Sequence, residues 1–255
     1  MRSMAHIGAA LTAIFMLSPL VILVIFCFSE SPLLAFPIEG WSLRWFDKAF
    51  SDPQFTNAFR NSMIVTGAVG VTSTLTGTLA ALALAKLPPR LATATAAALS
   101  LPVMVPPLLL GVALLTFYST WIGLPLGLPA VILSHLVFTQ PLVMLMISAR
   151  MASFDHAAVE AARDLGASPI QSFFHVTLPM IGPSITGGTL IAMALSLDDF
   201  LVTFFTIGGG MTLPTLMWGM LRKGIDPSVN VVAVTIMGLS IAATLIGFRL
   251  TRYRG

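Results

Sequence analysis

A single cysteine, Cys27, leaves no internal disulfide to form and no thiolate cluster to hold a metal. Charge is nearly as scarce. Asp, Glu, Lys and Arg make up 9% of the 255 residues, against roughly 25% in an ordinary soluble domain, and none occurs from Leu91 to Ala149. There is no HExxH, no acidic metal-ligand spacing and no phosphate-binding GxxxxGKS/T, so the chain offers no zinc site and no means of hydrolysing ATP. Ser, His and Asp occur without the GxSxG elbow that marks a hydrolase nucleophile. No Pro/Ser-rich or charge-dense stretch is long enough to separate two domains. The 56% of hydrophobic residues therefore reads as one all-α integral membrane domain over residues 1–255, with the lipid bilayer as its solvent. The net charge of +3 comes largely from basic residues that flank apolar runs, as topology determinants do, and nucleic acid is not an expected partner.

A membrane-crossing helix needs about 20 apolar residues, and the apolar runs predict six spans: residues 7–28, 61–85, 95–117, 129–149, 180–207 and 231–250. The first lacks the small-residue cleavage site of a signal peptide and is expected to stay as a helix. After it, a mixed stretch of acids, bases, tryptophans and prolines predicts an ordered external loop with interfacial pieces. Pro102, Pro106 and Pro107 remove backbone donors in the third span, which should kink there or end near the interface. The glycines at 208–210 should break the fifth span, and Asp226 followed by Pro227 suits the start of the sixth. With both termini cytoplasmic, that side receives Arg2, Lys86, Arg90, Arg150, Arg163, Arg249, Arg252 and Arg254, eight of the thirteen basic residues. This is the bias that the positive-inside rule favours.

The same orientation places Arg150–Pro179 in the cytoplasm, where the local pattern predicts two short helices meeting at a turn. Asp155 can cap the first, and Gly166 can end it in the left-handed conformation. Ser168 and Gln171 have capping-box spacing, with Pro169 at the first helical position. Ile170, Phe173 and Phe174, at i, i+3 and i+4, form a short apolar face that wants a partner, either the protein's own helices or another subunit. Glu160, Ala161, Ala162, Gly166, Val176, Leu178 and Pro179 stand at the spacing EAA, three residues, Gly, nine residues, Ile, any residue, Leu-Pro, with Val176 for the usual isoleucine. In this the segment resembles the EAA loop of ABC importer permeases. The resemblance implies a type I, MetI-like permease fold. It also implies a coupling helix that docks into a groove of a separate ATPase subunit, with Phe173 and Phe174 supplying burial.

The stretches SLDDFLVTFF and TLPTLMWGMLRKGIDPSVN, with the six-span order, further resemble the second permease of the spermidine/putrescine importer family, most specifically from Glu160 to Asn230. That resemblance implies a bacterial inner-membrane location and three kinds of partner: two ATP-binding subunits, a second homologous permease and a periplasmic binding protein. No cofactor is expected in this chain, ATP–Mg being held by the partner ATPase. Permeases of the broader family take other small solutes, including aminophosphonates and opine-like compounds.

Asp198 and Asp199 interrupt an apolar run, and an ionised carboxylate at the centre of a membrane helix costs roughly 2.5–3.5 kcal/mol. A polyamine stays cationic at neutral pH, since aliphatic amines titrate near the lysine value of about 10.4, so acids along a path would replace its water. Neighbours on a helix point about 100° apart, and a single pore is not expected to be lined equally by both. Either aspartate has alternatives: pairing with a base, capping a helix break, or contacting a second permease. Counted from Gly182 at about 1.5 Å per residue, Asp198 lies about 24 Å along the span, in the outer third of the membrane. Trp218, in the external stretch 212–230, joins the two acids as a candidate for the path or outer gate. Gly70, Thr74 and Thr78 form a small-residue stripe that favours helix packing, and His135 favours interhelical hydrogen bonding. An autonomous carrier or membrane enzyme using the two aspartates as a proton relay would explain the acids but not the cytoplasmic motif.

Overall fold

Helix α1 (Arg2–Cys27) is predominantly apolar from Ile7 onward, and large side chains such as Phe15, 79% exposed, and Leu11 face outward. For a helix in lipid this is the expected solvent-facing surface, because all its backbone groups are satisfied internally. The computed structural model describes residues 2–224 and 226–252; Arg254, one of the basic residues assigned to the cytoplasm, lies outside them. After α1 comes a short amphipathic helix, α2 (Arg44–Ser51). It is pinned by the Trp45 indole N–H donating to the Ser29 carbonyl at 2.7 Å, with the Arg44 guanidinium 4.2 Å from the same ring. Helix α3 (Pro53–Leu84) begins eight residues before the predicted second span, because the Asp52 carboxylate accepts the Gln54 N–H at 2.8 Å and Pro53 occupies the first turn.

The third span departs from a simple rod. Helix α4 (Pro89–Ser100), extended by a 3₁₀ turn to Met104, and α5 (Pro107–Thr116), closed by a π-helical turn to Ile122, meet at 95°. Val105 and Pro106 each precede a proline and are extended, with ψ of 130° and 132°, because the following ring excludes the helical conformation. With α6 (Leu128–Ala152) and the later helices, five helices among the described residues are long and apolar enough to cross a membrane, and six if this bent pair is one span.

After α6 come α7 (Ala157–Asp164) and α8 (Pro169–Ser172). Through a π-helical turn at Phe173–Thr177, α8 runs straight into α9 (Leu178–Asp198). The loop predicted over 150–179 is therefore shorter than expected, since its second helix is the first part of a 30-residue helix, Pro169–Asp198. The fifth span also ends earlier than 207. It stops at Asp198, Asp199 is extended (φ −67°, ψ 120°), and a separate short helix, α10 (Leu201–Thr206), follows before the glycines. Helix α11 (Leu213–Lys223) and α12 (Ser228–Arg252) complete the chain. The Asp226 carboxylate accepts the Ser228 N–H at 2.8 Å at the start of α12.

Helices α3, α6 and α9 form the centre. Their contacts are close where side chains are small: a Cβ on Gly77 of α3 would fall 2.9 Å from Val143 and 3.1 Å from the Gln140 carbonyl of α6. The small-residue stripe of α3 packs in the same way, Thr74 sharing a 2.6 Å hydrogen bond with Thr189 of α9. One buried apolar cluster, around Ala81, Met144, Ile147 and Ile181, fills the end of the bundle that bears the α6–α8 connection. Another, around Trp45, Phe55, Leu213 and Val232, fills the opposite end.

Candidate functional site

Helical geometry breaks within the apolar segments at Val105–Pro106 and again at Asp199–Phe200, and the short helices that follow these two breaks, α5 and α10, pack on each other. The contact requires Gly111 of α5: a Cβ there would lie 2.8 Å from the Phe205 ring and 3.2 Å from the Leu201 carbonyl. Irregular backbone at membrane depth persists only where protein or a wet cavity satisfies it. Here the Asp199 carboxylate accepts the Thr203 N–H at 2.8 Å and the Thr203 hydroxyl at 3.1 Å. The same oxygen lies 3.3 Å from Nε2 of His135 on α6.

His135 is 1% exposed and fully engaged. Its Nδ1 is 2.8 Å from Ser196 Oγ and its Nε2 is 2.9 Å from Thr203 Oγ1. A neutral ring with hydrogen on Nε2 satisfies every partner, donating toward Thr203 and Asp199 while Nδ1 accepts from the Ser196 hydroxyl. The network continues through Thr139, whose hydroxyl donates to the His135 carbonyl at 2.7 Å and meets Ser73 of α3 at 2.7 Å. Asp199 is thus a helix-break cap that also accepts a hydrogen bond from His135.

Asp198 is placed differently. It is exposed and lines an open cleft of about 420 Å³ between α9, α11 and α12, with Met217, Ile236 and Ser240. It makes no ion pair with any of the described residues. Trp218 of α11 stands at the same break, its ring 5.2 Å from that of Phe200 and 42% exposed. Helix α11 is held over the site by Ser62 Oγ accepting the Leu213 N–H at 2.9 Å and by Asn61 donating to the Met211 carbonyl at 2.9 Å. The break therefore turns the two carboxylates to different surroundings, with Trp218 packed on Phe200, the residue that follows them. What escaped the sequence is the joint role of His135, Ser196 and Thr203. The available signal was spacing, since Ser196 and Thr203 lie three before and four after Asp199, the offsets at which side chains on a helix become neighbours.

At the other end of α9, the connecting segment forms from local chemistry. The Asp155 carboxylate accepts the Ala157 N–H at 2.9 Å. Gly166 at φ +92° closes α7, with Ala167 N–H donating to the Ala162 carbonyl at 3.0 Å and Gly166 N–H to that of Arg163 at 2.9 Å. These two bonds are the Schellman pattern. Ser168 and Gln171 complete a reciprocal capping box at 3.3 and 2.8 Å. Glu160, Ala161 and Pro179 are exposed, and Ala162 and Leu178 are half-buried. Phe173 is half-buried, whereas Phe174 is 57% exposed and Ile170 71% exposed, so the predicted apolar face is only partly covered by the chain itself.

Residues 73–253 match the family described as binding-protein-dependent transport system inner membrane component. The chain is 34% identical over 241 residues to the putrescine transport system permease protein PotI of Escherichia coli K12, covering 92% of this chain and 84% of that one. To the spermidine/putrescine transport system permease protein PotC of Haemophilus influenzae it is 30% identical over 215 residues, covering 84% and 83%. Among solved structures, it superposes on a bacterial ABC transporter involved in import of the acidic polysaccharide alginate with a TM-score of 0.73 at 18% identity, covering 99% and 96%. On the MetNI methionine ABC transporter the TM-score is 0.67 at 20% identity, covering 79% and 96%. The motif, the helix order and these matches agree that the chain belongs to the binding-protein-dependent inner-membrane transport family, as a multi-pass permease of the polyamine ABC importer type and not an enzyme.

Proposed function

We propose that this permease forms half of an ATP-driven path for a small cationic solute, putrescine or spermidine, working with a second permease, two ATPase subunits and a periplasmic binding protein. The observation that carries the substrate class is Asp198, an exposed carboxylate that forms no ion pair among the described residues, facing an open cleft beside a wall of methionine and isoleucine. An ammonium group on an aliphatic chain fits that surface, the charge meeting the acid and the methylenes meeting the apolar wall. Trp218 adds an aromatic face able to hold a cation. The identity to PotI and PotC supports the same class, while the alginate and methionine importers share the fold with quite different cargo.

The 30-residue helix Pro169–Asp198 gives the coupling a mechanical route. Its first turns carry the partly exposed Ile170 and Phe174, its last residue is Asp198, and Asp199 follows at the break. Motion imposed on the first end by an ATPase docked against Glu160–Ala162 and Phe173–Phe174 would reach the cleft through one helix about 45 Å long. In this orientation both termini and the α6–α8 connection are cytoplasmic, and α2, α11 and the cleft face the periplasm.

The buried His135–Asp199 pair favours one competing reading, a proton-coupled carrier. Reconstituted proteoliposomes separate the two. Uptake of labelled putrescine should need ATP, the ATPase and the binding protein, and uptake driven by a proton gradient without them would refute the importer reading. Supplying the binding protein with spermidine, putrescine or an aminophosphonate in turn would then name the cargo.

A further inference from the structure

We propose an anionic phospholipid site between α7, the end of α3 and the α4–α6 groove, with the phosphate held by Lys86 and Arg163. Two adjoining cavities meet there, of about 490 Å³ and 360 Å³, sharing Ala85, Met151 and His156. The charged and titratable side chains lining the larger are all basic: Lys86, Arg163 and His156. The acids of the same segment, Asp155, Glu160 and Asp164, line neither cavity. Neither Lys86 nor Arg163 makes an ion pair with any described residue. Val159 and Arg163, four apart on α7, share the face turned toward this space.

The smaller cavity continues the site along α3, α4 and α6 and is mainly apolar, with Ala81, Leu84, Ala92 and Ala96 in its walls beside Thr93 and Ser148. Each cavity also includes a serine whose buried hydroxyl has no hydrogen-bond partner, Ser172 in the larger and Ser148 in the smaller. Buried hydroxyls in folded proteins nearly always find a partner, so both are available to a polar group entering from outside the chain. A basic pocket opening into an apolar groove, just where the apolar run of α3 gives way to Lys86, suits a phosphate with an acyl chain attached. A free phosphate would use the first cavity and leave the second unexplained. Ile170, Phe173 and Phe174, the face proposed for the ATPase, also line the larger cavity, so a headgroup bound there would tie α7 to the end of α3 beside that dock.

The test titrates the full chain, purified from membranes in neutral detergent, with dioleoyl phosphatidylglycerol and dioleoyl phosphatidylcholine, read by native mass spectrometry. The anionic lipid should bind at least about tenfold more tightly. The combined Lys86→Gln and Arg163→Gln substitutions should remove that preference, and Asp164→Asn, beside the site but outside its lining, should retain it. Equal affinity for the two lipids, or a preference that survives the double substitution, would overturn the proposal. Complete competition by millimolar inorganic phosphate would overturn the lipid assignment in favour of a free anion. Should the double variant fail to fold, Ala96→Phe, which fills the apolar groove, serves instead: it should weaken dioleoyl phosphatidylglycerol but not the dihexanoyl form, and equal loss for both would count against the site.

Discussion

The imidazole of His135 and the carboxylate of Asp199 meet at 3.3 Å across the point where α9 stops and α10 begins. One side chain comes from α6 and the other from the unwound residue, so the pair locks the break to the bundle. His135→Ala would leave Asp199, Ser196 and Thr203 each short of a partner in a buried site. A loss of roughly 1–3 kcal/mol is expected, read as a lower unfolding temperature in detergent. An unchanged midpoint would mean that the network contributes no stability.

The α5–α10 contact predicts a steric effect at Gly111. Valine there would force its side chain against the Phe205 ring and the α10 backbone, which a Cβ already approaches at 2.8 and 3.2 Å. Overpacking of this kind costs roughly 1–3 kcal/mol. Gly67, with nothing within 4 Å of a Cβ, provides the control: Gly67→Ala should leave the unfolding midpoint at or slightly above that of the parent.

Acid sensitivity should arise partly at the end of the bundle bearing α2 and α11. The Asp226 carboxyl sits outside the apolar segments, 2.7 Å from Lys48 Nζ. Burial raises its pKa, but hydrogen bonds from Lys48 and Ser228 and the Lys48 charge outweigh burial and hold it below the ordinary 3.8. The folded state thus binds this proton less readily than the unfolded chain. The contribution is fully present above the unfolded value and is lost as pH falls through the folded one. Because Lys48 and Asp226 are 57% and 34% exposed, solvent and salt screen the pair. Asp226→Asn should flatten the acid limb of a midpoint-against-pH curve below about pH 4, and 1 M salt should do so in part; a parallel curve would place the acid sensitivity elsewhere.

Much of this is legible in the sequence. Asp155, Gly166, Ser168 and Gln171 act through neighbours within a few residues, so their caps could be read directly. The early start of α3 and the end of α9 could not. Asp52 looked like one more acid in a mixed loop, and the glycines at 208–210 looked like a stronger breaker than Asp199. Asp199 prevails because its partners, Thr203 and the distant His135, exist only once α6 lies beside α9. The 100° step of a helix gives a reason to expect the two aspartates to face differently, with Asp198 expected to meet a cationic substrate, but α9 ends at Asp198 and Asp199 is extended, so their separation comes from the break and the cleft beside Asp198 from where α11 and α12 come to rest.

Gly166 predicts the behaviour of the α7–α8 turn. At φ +92° an alanine is strained, and Gly166→Ala should cost about 1 kcal/mol. Ser168→Ala, which removes half of the capping box, should cost a similar amount, about 1 kcal/mol. Both should lower protection of α7 and α8 amides in hydrogen exchange and leave α3 and α6 unchanged. Under the proposed coupling role, both should also weaken co-purification of the ATPase, and deletion of Gly166–Pro179 should abolish it while membrane insertion persists. Full retention of the ATPase after that deletion would remove the coupling role from this segment.

The division of labour between the adjacent aspartates is tested most directly by putrescine uptake in the reconstituted transporter, comparing Asp198→Asn with Asp199→Asn. Asp198→Asn should raise the KM for uptake at least about tenfold, the loss of one charge contact, with assembly and unfolding midpoint unchanged. Asp199→Asn should lower the midpoint. Uptake kinetics unaltered by Asp198→Asn, in a transporter that assembles normally, would contradict the account.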